Sequence, residues 1–290
     1  MNFARKIQRF IVNKTPPAMR GKVIDAFPFR HLWQWYNFRV TKCFILSFPK
    51  CGRTWLRVML MEAIAGHYDL QIRNYIYMRQ LSNQEPNVPR ISVMHDDLPH
   101  RKRAEELESS KKRFRRASVI FLVRDPRDVI VSWYFHKSRR SQEYHGTLSD
   151  FIHEPVGSFD TVLRYYNIWD QNRELPERFL LVRYEELSTD PYGELRRILN
   201  FLSLQEISDE AVEEAIRFAG FDNMQQMEQN RKFRSGRLQP VSVADPESYK
   251  VRRGRVGGYV DYLSADEIAM LTNKMESKLS PLFGYMTETN

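Results

Sequence analysis

The sequence predicts an α/β fold, a central parallel sheet flanked by helices, and three observations predict it. Apolar runs at 44–48, 119–123 and 179–182 have the near-continuous hydrophobicity of strands buried on both faces. Helical patterns at 55–65, 126–137, 191–202 and 265–279 alternate with those runs, the order expected of a parallel sheet covered by helices. With 290 residues and 42% hydrophobic content, the chain is long enough for one domain with a substantial core. No internal repeat or low-complexity tract marks a second domain. The expectation is a single domain over 1–290, with 1–40 as a basic, helical N-terminal extension packed on it.

The first strand leads into Phe-Pro-Lys-Cys-Gly-Arg-Thr-Trp at 48–55. A strand that stops at a Pro-x-x-Gly turn with a helix behind it points successive backbone N–H groups, and the positive end of the helix dipole, at one small volume. Lys50 and Arg53 add charge there, which makes an oxyanion cradle. In such sheets ligands sit beyond the carboxyl ends of the strands, where Lys50 and Arg124 fall. The Walker pattern of nucleotide phosphate loops is absent, because Lys50 precedes Gly52 instead of following it. Cys51 and Arg57 have the Cys-x5-Arg spacing of a cysteine phosphatase, whose thiolate at a helix N-terminus is the nucleophile. Trp55 and Leu56 count against that reading, since such a loop wraps its phosphate with small residues.

The 48–55 segment resembles the Tyr-Pro-Lys-Ser-Gly-Thr-Thr-Trp phosphosulfate loop of the cytosolic sulfotransferases. Two further segments resemble the same family. Residues 119–132 read Val-Ile-Phe-Leu-Val-Arg-Asp-Pro-Arg-Asp-Val-Ile-Val-Ser, similar to the strand and helix that carry the Arg and Ser holding the family donor's 3′-phosphate. Arg124 and Ser132 occupy those positions. Residues 251–258 read Val-Arg-Arg-Gly-Arg-Val-Gly-Gly and resemble the family's Arg-Lys-Gly-x-x-Gly clamp, which puts Arg252, Arg253 and Gly254 at the same phosphate. Between them, Pro-Arg-Ile-Ser-Val-Met-His at 89–95 parallels Pro-Arg-x-x-Lys-Thr-His, with His95 in register with the catalytic histidine.

The resemblance implies a three-layer, P-loop-NTPase-like sandwich. It also implies transfer of a sulfuryl group from 3′-phosphoadenosine 5′-phosphosulfate (PAPS) to a hydroxyl or amine by in-line displacement. A neutral imidazole suits removal of the acceptor's proton, and Lys50 is placed to stabilise the oxygen that leaves with the 5′-phosphate. The implied catalytic set is Lys50, His95 and Ser132. The loop residues Cys51, Gly52, Arg53 and Thr54 hold the donor's phosphosulfate, Trp55 and Phe221 flank its adenine, and Tyr184 hydrogen-bonds the base. No metal is implied, and the sequence has neither a Cys/His cluster at zinc spacing nor a magnesium-type carboxylate motif.

Six positions depart from the family pattern: Cys51 for Ser, Arg53 for Thr, Val93 for Lys, and Gly-Tyr-Val at 258–260 for Asp-Trp-Lys. They bear on the acceptor side and the C-terminal contacts. His67, His100, His136 and His145 have no comparable register and read as surface or packing residues. Tyr75, Tyr77, Phe135, Tyr144 and Phe151 are candidates for an acceptor pocket, with the polar segments 72–89 and 225–247 as its mobile covers.

The net charge, 45 minus 36 or +9, raises nucleic acid as a partner. Much of it is local: 101–116 holds eight Lys or Arg against three Glu and reads as one or two exposed helical turns. Without a recognisable nucleic-acid motif, that partner is disfavoured. A small-molecule, glycan or lipid acceptor is expected instead. Residues 1–14 resemble a basic amphipathic helix without a signal-peptide core, read as a docked surface helix with peripheral membrane contact left open. Two cysteines and no membrane-length apolar run suggest a reducing, cytoplasmic setting. The family's dimerisation motif is absent, so oligomeric state is not carried over. The remaining alternatives are the cysteine phosphatase and a non-catalytic basic module that binds nucleotide or membrane surface.

Overall fold

A computed structural model of the chain describes residues 29–230, 242 and 245–285. At its centre lie β1 (Cys43–Leu46), β2 (Ile91–Met94), β3 (Ser118–Val123) and β4 (Arg178–Arg183), all parallel, in the order β2-β1-β3-β4. Cys43 pairs with Ile91 on one side and Ser118 on the other, and Leu46 with Met94 and Phe121. β1 and β2 therefore finish level, and β3 runs two residues further, to Val123. β1 and β3 are buried along their whole length, as central strands covered on both faces must be.

The helices are α1 (Phe29–Val40), α2 (Arg53–Tyr68), α3 (Pro126–Phe135), α4 (Leu148–Phe151), α5 (Phe159–Gln171), α6 (Tyr184–Thr189), α7 (Pro191–Phe201), α8 (Asp209–Phe218), α9 (Phe221–Gln229) and α10 (Ala265–Lys278). Their starts are written in capping chemistry. Asp125 and Asp190 accept the N–H of Arg127 and Gly193 ahead of helices that open on Pro126 and Pro191. Ser158 and Ser208 cap α5 and α8, and Ser264 with Glu267 closes a capping box on α10. In the core, Tyr165, Tyr166 and Trp169 of α5 all meet Phe121 of β3 at centroid distances of 5.6–5.8 Å.

Several expectations change in the structure. Residues 91–94 form an edge strand that sequence alone did not suggest, because four residues including Ser92 are too short to show a period. The helix expected over 126–137 ends at Phe135 and continues as a π-type turn, His136–Arg140. The basic run 101–116 is not simply a solvated face. Lys111 is 1% exposed and pairs at 2.8 Å with the buried Asp96, which also takes Arg113. Segment 72–89, expected to be mobile, is anchored by buried Met78, Leu81 and Val88 and by a two-way bond between the Gln84 side chain and the Gln71 backbone. The 1–14 helix and most of 231–244 lie outside the described residues. Among the described residues no helix is long and apolar enough to cross a membrane.

Candidate active site

β1 ends at Leu46, and the chain turns through Lys50 (φ 75°) and Gly52 (φ 86°) before α2 begins at Arg53. Both residues take the left-handed region, which costs Lys50 about 1–2 kcal/mol and Gly52 little. Glycine is required at 52 for a second reason: a Cβ there would lie 2.5 Å from the Tyr184 ring. The turn opens on a cleft of about 460 Å³ at the carboxyl ends of the strands. Lys50, Gly52, Arg53, Thr54, Trp55, His95, Arg124, Ser132, Tyr184, Phe221, Arg252, Arg253 and Gly254 all line it.

Of the catalytic and donor-binding residues implied by the resemblance, Cys51 alone is absent from the lining, and Arg57 of the Cys-x5-Arg spacing is absent too. Cys51 is fully buried beneath the loop, its Sγ 3.3 Å from the Tyr166 hydroxyl. Burial pushes its thiol up to about 12, so no thiolate forms near neutral pH. Only its backbone N–H can serve a ligand, and the nucleophile required by the cysteine-phosphatase alternative is missing.

His95 follows β2 directly. Its Nδ1–H donates to the Ser47 carbonyl at 2.9 Å, and because a carbonyl only accepts, Nε2 carries the lone pair. That Nε2 accepts from Arg53 Nη2 at 2.7 Å. Burial, followed by the Arg53 charge, holds His95 well below the usual histidine range, which keeps it neutral. Two histidines read from sequence as surface or packing residues stand beside it. His100 meets both His95 and Trp133 at 5.4 Å, and His136 stacks on Trp133 at 4.9 Å. Both line the cleft, and burial pushes them down to about 4 and about 3. The signal for them lies in tertiary placement, since neither sits in a recognisable segment.

At the other end, Arg124 Nη2 donates to Asp128 at 3.0 Å and to the Arg255 carbonyl at 2.7 Å. Its guanidinium lies 4.4 Å from the centre of the Tyr184 ring. Asp128, 3% exposed, also accepts the N–H groups of Gly257 and Tyr259 at 2.9 and 3.0 Å. Arg252 pairs with Glu247, and Arg253 and Arg255 with Asp261. The Tyr184 hydroxyl donates to the Gly254 carbonyl at 3.2 Å. Gly254 has φ 62°, and a Cβ on it would sit 2.9 Å from the Phe221 ring. Trp55 donates through Nε1 to Ala219 and meets Tyr184 edge-on at 5.7 Å.

Among the described residues, Lys50 lies with these groups and no carboxylate pairs with it. Burial, then Arg140, Arg252 and Arg124, push its ammonium down to about 7. Glu228, 1% exposed, binds Arg140 and accepts the backbone N–H groups of Lys250 and Val251, fixing that strand of the cleft wall. Neither Asp128 nor Glu228 was singled out in the sequence.

None of the aromatics proposed for an acceptor pocket lines the cleft. Tyr75 bonds Glu62, Tyr77 is exposed, Phe135 lies under Arg252, and Tyr144 and Phe151 pack with Tyr134. Trp133 and Tyr262 line it instead.

Comparison with known proteins agrees with this fold. Cytosolic sulfotransferase 12 of Arabidopsis thaliana is 23% identical over 313 residues, covering 93% of this chain and 91% of that protein. Among solved structures, mouse sulfotransferase SULT7A1 complexed with PAP superposes with a TM-score of 0.60 at 17% identity, covering 91% of this chain and 94% of that one. Retinol dehydratase in complex with androsterone and the inactive cofactor PAP does so with a TM-score of 0.60 at 17% identity, covering 86% and 84%. A family model described as the sulfotransferase domain matches residues 40–283, and the chain belongs to that family.

Proposed function

We propose that the protein transfers the sulfuryl group of PAPS to an acceptor hydroxyl or amine, with His95 as general base. The observation that carries this reading is the His95 tautomer: its Nε2 lone pair faces a cleft whose two ends are the Lys50 loop and the Arg124 cluster. Bound PAPS would supply an activated sulfuryl group on a phosphate leaving group. The residues present fit it. Among the described residues Lys50 has no anionic partner, and Arg53 Nη1 and Arg124 Nε are buried without a hydrogen bond, so this part of the cleft is short of anions.

In this reading Lys50 and the N–H groups of the 50–54 turn neutralise charge on the departing phosphate, an electrostatic role worth about 3–4 kcal/mol per well-placed donor. Thr54 adds a hydroxyl to the same cradle. Arg124, Ser132, Arg252 and Arg253 hold the 3′-phosphate, and Trp55, Phe221 and Tyr184 hold the adenine. His95 takes the acceptor's proton at Nε2 once Arg53 turns from it toward the sulfuryl oxygens. The cleft volume is within the range of small-molecule sites, about 300–1,000 Å³, which favours a small acceptor over a glycan or lipid.

The test is calorimetric titration with adenosine 3′,5′-bisphosphate against adenosine 5′-monophosphate, paired with a transfer assay on His95→Ala. A clear preference for the bisphosphate and loss of transfer in the variant are expected. Equal binding of the two nucleotides would sink the donor assignment, and full activity of His95→Ala would remove the base.

A further inference from the structure

The end of the sheet opposite the cleft carries its own concentration of positive charge. β1, β2 and β3 start level there, since Cys43 pairs with both Ile91 and Ser118. The residues just ahead of them are tied through the main chain: Lys42 donates its N–H to the Arg90 carbonyl, and its own carbonyl accepts from Ser118, both at 2.9 Å. That bonding sets Lys42 beside the turn that feeds β3, in which Arg115 donates to the Lys112 carbonyl and Ala117 to that of Phe114. Lys42, Lys112, Arg115 and Arg116 are all exposed, and none has an ion pair among the described residues.

α1 crosses the same end. Its Phe38 ring meets Phe44 of β1 at 4.9 Å and Phe114 at 5.4 Å, and Asn37 accepts from Arg90 at 3.2 Å. With Asn37 and Phe38 turned to the protein, residues 35 and 39 share the outer face. Trp35 is 60% exposed there, and the Arg39 guanidinium lies 5.3 Å from its ring centre. The surface is thus an exposed indole among five cations. The carboxylates close to it in the chain do not neutralise it: Asp96 and Glu108 are engaged by Lys111 and Arg113, and Glu177 stands at the β4 margin, bonded through its N–H to Ala117.

Three arguments name what covers such a surface. Unpaired surface cations gain from an array of anionic headgroups, and an indole with an apolar body and one N–H suits the boundary between headgroups and acyl chains. The chain's own first 28 residues are a poor cover, because they hold six Lys or Arg against one Asp and repel the patch. A nucleic acid would use Trp35 to stack a base, but Arg39 already covers one face of that ring.

We infer that this end of the sheet is a docking surface for an anionic lipid bilayer, with Trp35 at the headgroup boundary and Arg39, Lys42, Lys112, Arg115 and Arg116 against the headgroup charges. The cleft opens at the other end of the strands, so a docked molecule keeps it turned to the aqueous side. The surface shares no residue with the cleft and does not depend on the sulfotransferase reading.

The test sediments the full chain with phosphatidylcholine vesicles, alone or with about 30% phosphatidylserine, at about 0.1 M salt. Binding is expected only to the anionic vesicles. The triple variant Lys42→Gln, Arg115→Gln, Arg116→Gln should bind about a hundredfold more weakly, at about fivefold per cation. Trp35→Ala should bind about tenfold more weakly. Far-ultraviolet circular dichroism checks that each variant is folded; if the triple is not, Lys42→Gln alone is read for its about fivefold loss. Equal binding to neutral vesicles, parent-like binding of the cation variants, or unchanged binding of Trp35→Ala would each overturn the inference. So would tighter binding to a short DNA duplex that the same cation variants abolish, which would assign the surface to nucleic acid.

Discussion

At the Arg124 end of the cleft, positive charge is answered inside the protein, while at the His95 end it waits for something from outside. Arg124, Arg252 and Arg253 each rest on a carboxylate, and Asp128 fastens Arg124 to the backbone of 257–259. That end is assembled before any ligand arrives, the condition under which fixed charges cost no reorganisation on binding. Among the described residues Lys50, Arg53, Arg57 and Lys250 have no such carboxylate, and burial pushes Lys50 and Arg53 down to about 7 and about 9. The difference separates positioning from recognition. A prepaired guanidinium holds a phosphate in register, whereas an unpaired one contributes most when a ligand's charge removes its desolvation cost.

The strongest way to break this comparison is at the base. His95→Ala is expected to lower sulfuryl transfer by about 10²–10⁴-fold while leaving bisphosphate affinity nearly unchanged, as read by steady-state assay beside calorimetry. Lys50→Ala should lose about 10²–10³-fold in turnover. Next comes Asp128→Ala, which strips the acceptor from Arg124 and from two backbone donors. Each buried group left unsatisfied costs about 1–3 kcal/mol, so bisphosphate binding should weaken by about tenfold or more; unchanged affinity would mean that the Arg124 end is not preassembled.

Proton linkage sharpens the contrast further. Lys50 is held near 7 in the free protein, and a bound phosphate raises it. At pH 8 the bisphosphate complex should therefore take up a proton. Affinity should fall as pH rises above about 7, by up to tenfold per unit, and the apparent enthalpy should differ between Tris and phosphate buffers. A smaller effect is expected at Arg57. Replacing its buried, unpaired guanidinium with Met should raise the free protein's thermal midpoint by a few degrees, about 1–3 kcal/mol. The smallest change belongs to Cys51→Ser, where transfer should stay within about twofold because the thiol faces Tyr166 and not the cleft.

Much of the Arg124 end was legible in the sequence, and much of the His95 end was not. Arg124, Ser132 and Arg252 stand in segments whose strand, turn and helix can be read from local pattern, and the parallel sheet follows from the apolar runs of β1 and β3. The Lys50 loop was legible for the same reason. Asp128 and Glu228 escaped notice because their partners are backbone groups 129 and 22 residues away, and no local pattern encodes such a bond. His100 and His136 escaped because one follows a 3₁₀ start after Leu98 in the left-handed region and the other opens a π-type turn. The aromatics nominated for the acceptor pocket failed for a related reason: an aromatic in a polar segment says nothing about which wall it will face. Arg57 was visible only as the last residue of a Cys-x5-Arg spacing, and its burial without a partner is a property of the folded chain alone.

The tie between Asp128 and residues 257–259 also bears on how the protein is made. Its four strands and the helices through Gln229 are encoded before that segment leaves the ribosome, so a nascent chain can build the sheet, the Lys50 turn and His95 while Arg124 still lacks its last anchor. A chain ending before that segment would lack the two backbone donors that hold Asp128 under Arg124.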